Sequence, residues 1–254
     1  MKEYYFFTSM PRAGNTLLGT LINQNPNLCL TPNSIVPGII WDLESIKNTM
    51  NYANFLNEEA FNNVQKNVIH NYYKDYKANK ILERGCWSTP DNYQSLKNYI
   101  TDKPKFIILY RPLVECLASF MKAKHFATED DLWDFSMSHS GGFLNMACSS
   151  ISSVINNNDE HIFITYNDLV DRPVNTIKRI YDFIGEKYVS VKTEDFNQFS
   201  VNGIEYDDSM LSSDLHTINT KKIINKRIVV EDYLSKDFIK KANKYDITVK
   251  VVNK

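Results

Sequence analysis

Four short apolar runs constrain this chain most: YYFFT (residues 4–8), KILER (80–84), KFIILY (105–110) and HIFITY (161–166). Each has the length and composition of a buried strand, and residues 28–30 offer a further short one. Between them the apolar residues fall at helical spacing. Leu17, Leu18, Leu21 and Ile22 share one face, closed by the breaker QNPN; Phe61, Val64, Val68, Tyr72 and Tyr76 share a second. Val170, Val174, Ile177, Tyr181 and Ile184 share a third, with Gly185 as the residue that ends the helix. Strands that alternate with helices predict an α/β fold with a central parallel sheet flanked by helices on both faces. Ligands of such sheets bind beyond the carboxyl ends of the strands.

Two of those ends carry arginine. In SMPRAGNT, Gly14 permits positive φ or a close backbone approach, and the following helix offers unpaired N–H groups and a positive dipole end. Arg12 adds a fixed cation, so the turn has the makings of an anion site. The same letters also describe an ordinary strand–turn–helix with a surface arginine. Gly14 and Gly19 have the spacing of a phosphate-binding G-x-x-x-x-G loop, but Thr20 and Leu21 stand where Lys and Ser/Thr are needed. Ordinary ATP or GTP phosphoryl transfer is therefore disfavoured.

The stretch KFIILYRPLVECLASFMKAK repeats the pattern with Arg111 and Pro112. Proline suits the first helical turn. Leu113, Leu117, Phe120 and Met121 form the core stripe, while Ser119, about 200° from Leu117, shares the opposite face with Glu115 and Lys122. Arg111 and Ser119 could grip one phosphate, or the face is simply solvated.

The 254 residues fit one α/β domain, read here as 1–254. A net charge of −1 gives no global attraction to nucleic acid or an anionic membrane, so any anion site is local. Cys29, Cys86, Cys116 and Cys148 are widely spaced, without a C-x-x-C pair, and read as free thiols of a reducing compartment. No apolar run approaches the ~18 residues of a membrane span, and no cationic leader precedes a long apolar segment. The expected setting is cytoplasmic, with no membrane or nucleic-acid partner.

Three segments together resemble the sulfotransferases that use 3′-phosphoadenosine 5′-phosphosulfate (PAPS). MPRAGNTLL is similar to their 5′-phosphosulfate loop, LYRPLVECLASFMK to their 3′-phosphate segment, and FITYNDLVDRPVNTIKRIYDFIG to a later family stretch, all in order over residues 4–186. The resemblance implies a P-loop nucleotide-kinase-like three-layer fold, and PAPS as co-substrate without a metal. It also implies roles for residues. Pro11, Arg12, Ala13, Gly14, Asn15, Thr16 and Leu17 would hold the 5′-phosphosulfate; Arg111 and Ser119 would read the 3′-phosphate. Tyr166 matches a position near the nucleotide, or is a core tyrosine. Lys226, with Lys221 or Lys222 as alternates, falls in a segment similar to the family's late donor-closing stretch.

For catalysis, Arg12 is the first choice to stabilise charge on the leaving bisphosphate, and Arg84 the second, unless Arg84 merely pairs with Glu83. Asn33 falls where tyrosylprotein-type relatives carry a catalytic glutamate, and Ile35 where they carry a substrate-binding arginine. Asn accepts no proton at neutral pH, so the general base stays unassigned. Of the five histidines, His125 alone lies near an expected acceptor pocket, and no pair has metal spacing. Trp87 and Trp133 line that pocket or belong to the core. The expected reaction is sulfonate transfer to a hydroxyl or amine on a small molecule, glycan or peptide. The rivals are a nucleotide kinase-like phosphotransferase, a non-catalytic nucleotide-binding module, and a scaffold using a helix over 129–155.

Overall fold

A computed structural model describes residues 2–123, 126–139, 141–207, 216–225 and 227–247. Five strands build the main sheet: β1 (Glu3–Ser9), β2 (Leu28–Asn33), β3 (Lys80–Arg84), β4 (Lys105–Tyr110) and β5 (Glu160–Thr165). All neighbours pair in parallel, in the order β2-β3-β1-β4-β5. The three central strands are buried on both faces, which is why they read as nearly continuous apolar runs. From β1 the chain crosses to the β2 edge, whereas β4 leads outward to β5. The carboxyl ends of β1 and β4 therefore flank the crevice where the winding reverses.

Helices cover both faces. After β1 comes α1 (Asn15–Ile22); after β2 come α2 (Val36–Ile46), α3 (Met50–Asn54) and α4 (Glu58–Tyr73). Between β3 and β4 lies α5 (Pro90–Tyr99), and between β4 and β5 lie α6 (Leu113–Lys122), α7 (Glu129–Met137) and α8 (Phe143–Asn156). Residues 129–155 thus contain two helices where one was expected. Beyond β5 follow α9 (Tyr166–Asp171) and α10 (Pro173–Phe183), a short antiparallel pair β6 (Ser200–Val201) and β7 (Ile204–Glu205), and α11 (Lys236–Asn243).

Three details depart from the sequence pattern. β5 stops at Thr165, because Thr165 and Asp168 form a capping box that starts α9 at Tyr166. The third helical stripe is split at Pro173, which begins a new helix. The buried face of α4 is Gln65, Ile69 and Tyr73, while Val64 and Tyr72 are exposed and Tyr76 lies past the helix end. Hydrogen bonds explain that offset. Gln65 Nε2 donates to Glu44 Oε1 of α2 (2.6 Å), and Tyr73 OH donates to Glu83 Oε1 (3.0 Å), so each of these two buried side chains has a polar partner, although Gln65 Oε1 accepts no bond among the described residues.

Gly19 has a packing reason rather than a phosphate-binding one. A Cβ there would stand 2.4 Å from Phe199 Cε2, so α1 lies against that ring only without a side chain.

Candidate functional site

A cavity of about 840 Å³ opens at the carboxyl ends of β1, β3 and β4. The turn after β1 forms its floor. Arg12 adopts φ 65° and Gly14 φ 91°, and a Cβ at Gly14 would meet Leu169 Cδ2 at 3.2 Å and Tyr166 Cδ2 at 3.3 Å. This left-handed backbone turns the chain sharply into α1. The first intrahelical bond runs from Leu18 N–H to Gly14 C=O (2.9 Å), leaving Asn15, Thr16 and Leu17 as the first turn, with N–H groups that have no intrahelical acceptor. Asn15 Nδ2 fastens the turn by donating to Met10 C=O (3.1 Å).

Pro11, Arg12, Gly14, Asn15, Thr16 and Leu17 all line the cavity. Ala13 does not. Its side chain is buried in the core and its N–H donates to Met10 C=O (3.3 Å).

The two arginine turns meet here. Arg111 is buried; its Nη1 donates to Arg12 C=O (2.9 Å), its Nε to Glu115 Oε2 (3.0 Å), and its guanidinium lies 4.3 Å from the centre of the Tyr166 ring. Two of its five donors are therefore engaged internally, which fixes the plane of the fork. Arg12 Nε donates to Ser119 Oγ (3.3 Å), joining the first turn to the outward face of α6. Burial, and then the charge of Arg111, lower the Arg12 pKa from the usual guanidinium value. Tyr166 opens α9, lines the cavity and packs against the turn at Gly14.

Arg84 enters from the end of β3. Burial lowers its pKa, and its Nη1 donates to Tyr206 OH (3.4 Å). Among the described residues no ion pair joins it to Glu83. Adjacent residues of a strand project to opposite faces, and Glu83 is fully buried behind the cavity wall.

The charge balance of the lining is one-sided. Arg12, Arg84, Arg111 and Lys122 contribute four cationic side chains, and no Asp or Glu lines the cavity among the described residues. A chain of net charge −1 thus concentrates positive charge where partial desolvation strengthens its attraction for anions. Asn33 lines the same space at the end of β2.

The late segment also reaches it, through His216, Thr217, Ile218, Asn219, Ile223 and Ile228. Lys221 instead pairs with Asp195 (3.2 Å) on the surface, Lys222 is not part of the lining, and Lys226 and His125 lie outside the described residues. Trp87 is buried and Trp133 packs against Phe238 and Tyr245; neither lines the cavity. Two functional candidates escaped the sequence reading: Ser34, in the cavity wall, and Glu83 behind it. The available signal was a carboxyl within a strand that has covered faces.

Comparison with known proteins bears on the family and the fold. The family model described as "Sulfotransferase family" matches residues 5–190. The sulfotransferase domain of the Synechococcus PCC 7002 olefin synthase is similar in structure (TM-score 0.56, 15% identity), with 96% of this chain and 96% of that one covered. The sulfotransferase domain from the curacin biosynthetic pathway is similar with TM-score 0.55 and 15% identity over 96% and 97% of the two chains. Mouse sulfotransferase SULT7A1, solved in complex with PAP, gives TM-score 0.53 and 12% identity over 96% and 83%. At these identities the structural likeness bears on the fold. A comparison with curated proteins finds no match. The family match spans most of the chain, from the first strand to beyond the α10 helix, and this protein belongs to the sulfotransferase family.

Proposed function

We propose that the protein transfers a sulfonate group from PAPS to a hydroxyl or amine acceptor and releases adenosine 3′,5′-bisphosphate. One observation carries this reading: a cavity at the β1/β4 crevice of a sulfotransferase-family chain is lined by four cations and, among the described residues, no carboxylate. The residues present fit the donor. A cavity of about 840 Å³ is in the range of nucleotide-sized ligands. The first turn of α1 and Arg12 offer donors to a 5′-phosphosulfate, and Arg111 with Ser119 offers a second anion site for the 3′-phosphate. Bound there, the donor supplies an activated sulfonate with a bisphosphate leaving group.

In this reading Arg12 and Arg84 stabilise the charge that grows on the departing phosphate oxygen. Tyr166 holds the Arg111 guanidinium, and the segment containing His216 and Ile218 covers the cavity, with Lys226 in the same stretch of chain. Residues 1–254 act as one domain: Asp246 near the far end accepts from Leu113 N–H (3.2 Å), which ties that end to α6. Four free thiols suit a reducing, cytoplasmic setting. The acceptor is a small molecule, a glycan or a peptide.

The test is incubation with sulfur-labelled PAPS and a mixed panel of phenols, sugars and amines, beside labelled ATP. Bisphosphate formation with label on an acceptor supports the reading; phosphoryl transfer from ATP refutes it. A second reading, a nucleotide-binding module without turnover, is favoured by Asn33 and by the lack, among the described residues, of a lining carboxylate. It predicts bisphosphate binding with every acceptor left unlabelled.

A further inference from the structure

A buried carboxyl stands directly behind the cavity wall. Glu83 Oε2 accepts from Trp87 Nε1–H, and Oε1 accepts from Tyr73 OH of α4 (3.0 Å). Between this carboxylate and the Ser34 hydroxyl stands the Tyr73 oxygen, within hydrogen-bond distance of both. Ser34 lies between β2 and α2, half-buried and in the cavity lining. Its N–H donates to Arg84 C=O (2.7 Å), its Oγ accepts from Val36 N–H (3.1 Å), and the Tyr73 oxygen lies 3.1 Å from that Oγ. The Tyr73 phenol has one proton; when it goes to Glu83, the Tyr73 oxygen is left to accept from the Ser34 hydroxyl. Two hydroxyls, those of Ser34 and Tyr73, therefore connect the cavity to a buried proton acceptor.

Among the described residues no cation is paired with Glu83. The titratable groups that feel its charge are Tyr73 and Tyr76 and, in the turn after β3, Cys86, each itself raised chiefly by burial. The apolar neighbours are Phe6, opposite Glu83 in the β1 register, and Pro37 against Gly85. Burial pushes the Glu83 carboxyl up to about 7, against the pull of the nearby Ser34 hydroxyl and of its bonds from Trp87 and Tyr73. A carboxyl held there can take a proton near neutral pH and return it.

We propose that Ser34, Tyr73 and Glu83 form the proton exit of the transfer reaction: Ser34 Oγ takes the proton of the acceptor while passing its own to the Tyr73 oxygen, whose proton moves to Glu83. The inference rests on the sulfonate-transfer reading given above. The acceptor's O–H or N–H bond breaks, and its electron pair forms the new bond to sulfur. The bond from sulfur to the bridging phosphate oxygen breaks, and that pair stays on the oxygen, beside Arg12 and Arg84. Ser34 and Tyr73 each gain one proton and lose one, and Glu83 ends as a carboxylic acid that later returns the proton to solvent. Ser34 touches the acceptor; Glu83 acts through Tyr73 and Ser34 as the final proton acceptor. The competing proton acceptor in the cavity is His216, stacked on Tyr206 at 3.9 Å.

The test uses PAPS with water as the probe acceptor. Bisphosphate release is followed from about pH 5.5 to about 9 for the wild type, Ser34→Ala, Glu83→Gln and His216→Ala. The wild-type rate should rise through about pH 7 to a plateau. Ser34→Ala and Glu83→Gln should lose at least about tenfold and the rise with it, while His216→Ala keeps the profile. A second measurement needs no turnover. The Trp87 indole N–H resonance, assigned with Trp87→Phe, should move with a midpoint near pH 7 in the wild type and stay fixed in Glu83→Gln.

The proposal is overturned by a wild-type Trp87 resonance that does not titrate, by a wild-type profile in Glu83→Gln, or by loss of the profile in His216→Ala. A wild-type protein that binds the bisphosphate but releases none from PAPS into water also overturns it. Failure of the underlying reading looks different: no bisphosphate binding at all, with Trp87 still titrating, withdraws both.

Discussion

Burial of Glu83 should leave a mark on stability that needs no ligand. A carboxyl held at about 7 in the folded chain, against an ordinary 4.5, makes its ionisation there cost about 3 kcal/mol. The folded pKa is raised, so this contribution to stability is fully present below pH 4.5 and is lost as pH rises through about 7. Glu83→Gln keeps the shape of the side chain and an acceptor for Trp87 but has nothing to ionise. The difference in unfolding free energy between the two proteins should therefore swing by about 3 kcal/mol between pH 4.5 and 8, with the wild type losing ground at the alkaline end. Urea unfolding of both proteins at four pH values reads this as a change of about 1 M in the separation of the midpoints, at a slope of about 3 kcal/mol/M. Any constant penalty from the amide cancels in that comparison. A separation that stays the same across the range would refute the assignment of a buried, unpaired carboxyl.

Two further substitutions probe the site and its support. Arg84→Ala should lower bisphosphate release from PAPS by about 10²-fold and change bisphosphate affinity by less than about threefold, measured by initial rates and calorimetry, because the side chain is assigned to the transition state. Gly19→Ala should destabilise the fold by a net of about 1–2 kcal/mol in thermal unfolding. The overpacking against Phe199 costs about 1–3 kcal/mol and outweighs a helix-propensity gain of up to about 1 kcal/mol.

Four strands were legible because a parallel sheet covered on both faces needs continuous apolar runs, and each begins and ends within a residue of its run. The edge strand β2 runs on to Asn33 although Thr31-Pro32-Asn33 carries no strand pattern; pairing of Asn33 with Arg84 extends it. The two arginine turns were legible for a local reason, since strand, turn and helix start are written consecutively. Their meeting was not: the bond from Arg111 to Arg12 C=O spans 99 residues and depends on β4 lying beside β1. Ser119 was expected to serve Arg111, yet in the structure Arg12 is the residue that reaches it. Glu83 was overlooked because a charge beside Arg84 reads as half of an ion pair. What decides its environment is the cover supplied by Tyr73, 10 residues earlier, and Trp87, four residues later. The α4 stripe failed in the same way, since hydrophobicity alone gives no sign that buried Gln65 finds a partner in the half-buried Glu44.

The central claim is that Arg111 and its neighbours distinguish a 3′-phosphate, which separates a sulfonate donor from ATP. Calorimetric titration with adenosine 3′,5′-bisphosphate, 5′-AMP and ATP, on the wild type and on Arg111→Ala, tests it directly. The account predicts that the wild type binds the bisphosphate at least about tenfold more tightly than 5′-AMP, a gap of ~1.4 kcal/mol, and that Arg111→Ala removes the gap. Equal affinities in the wild type, or a preference for ATP, would contradict it.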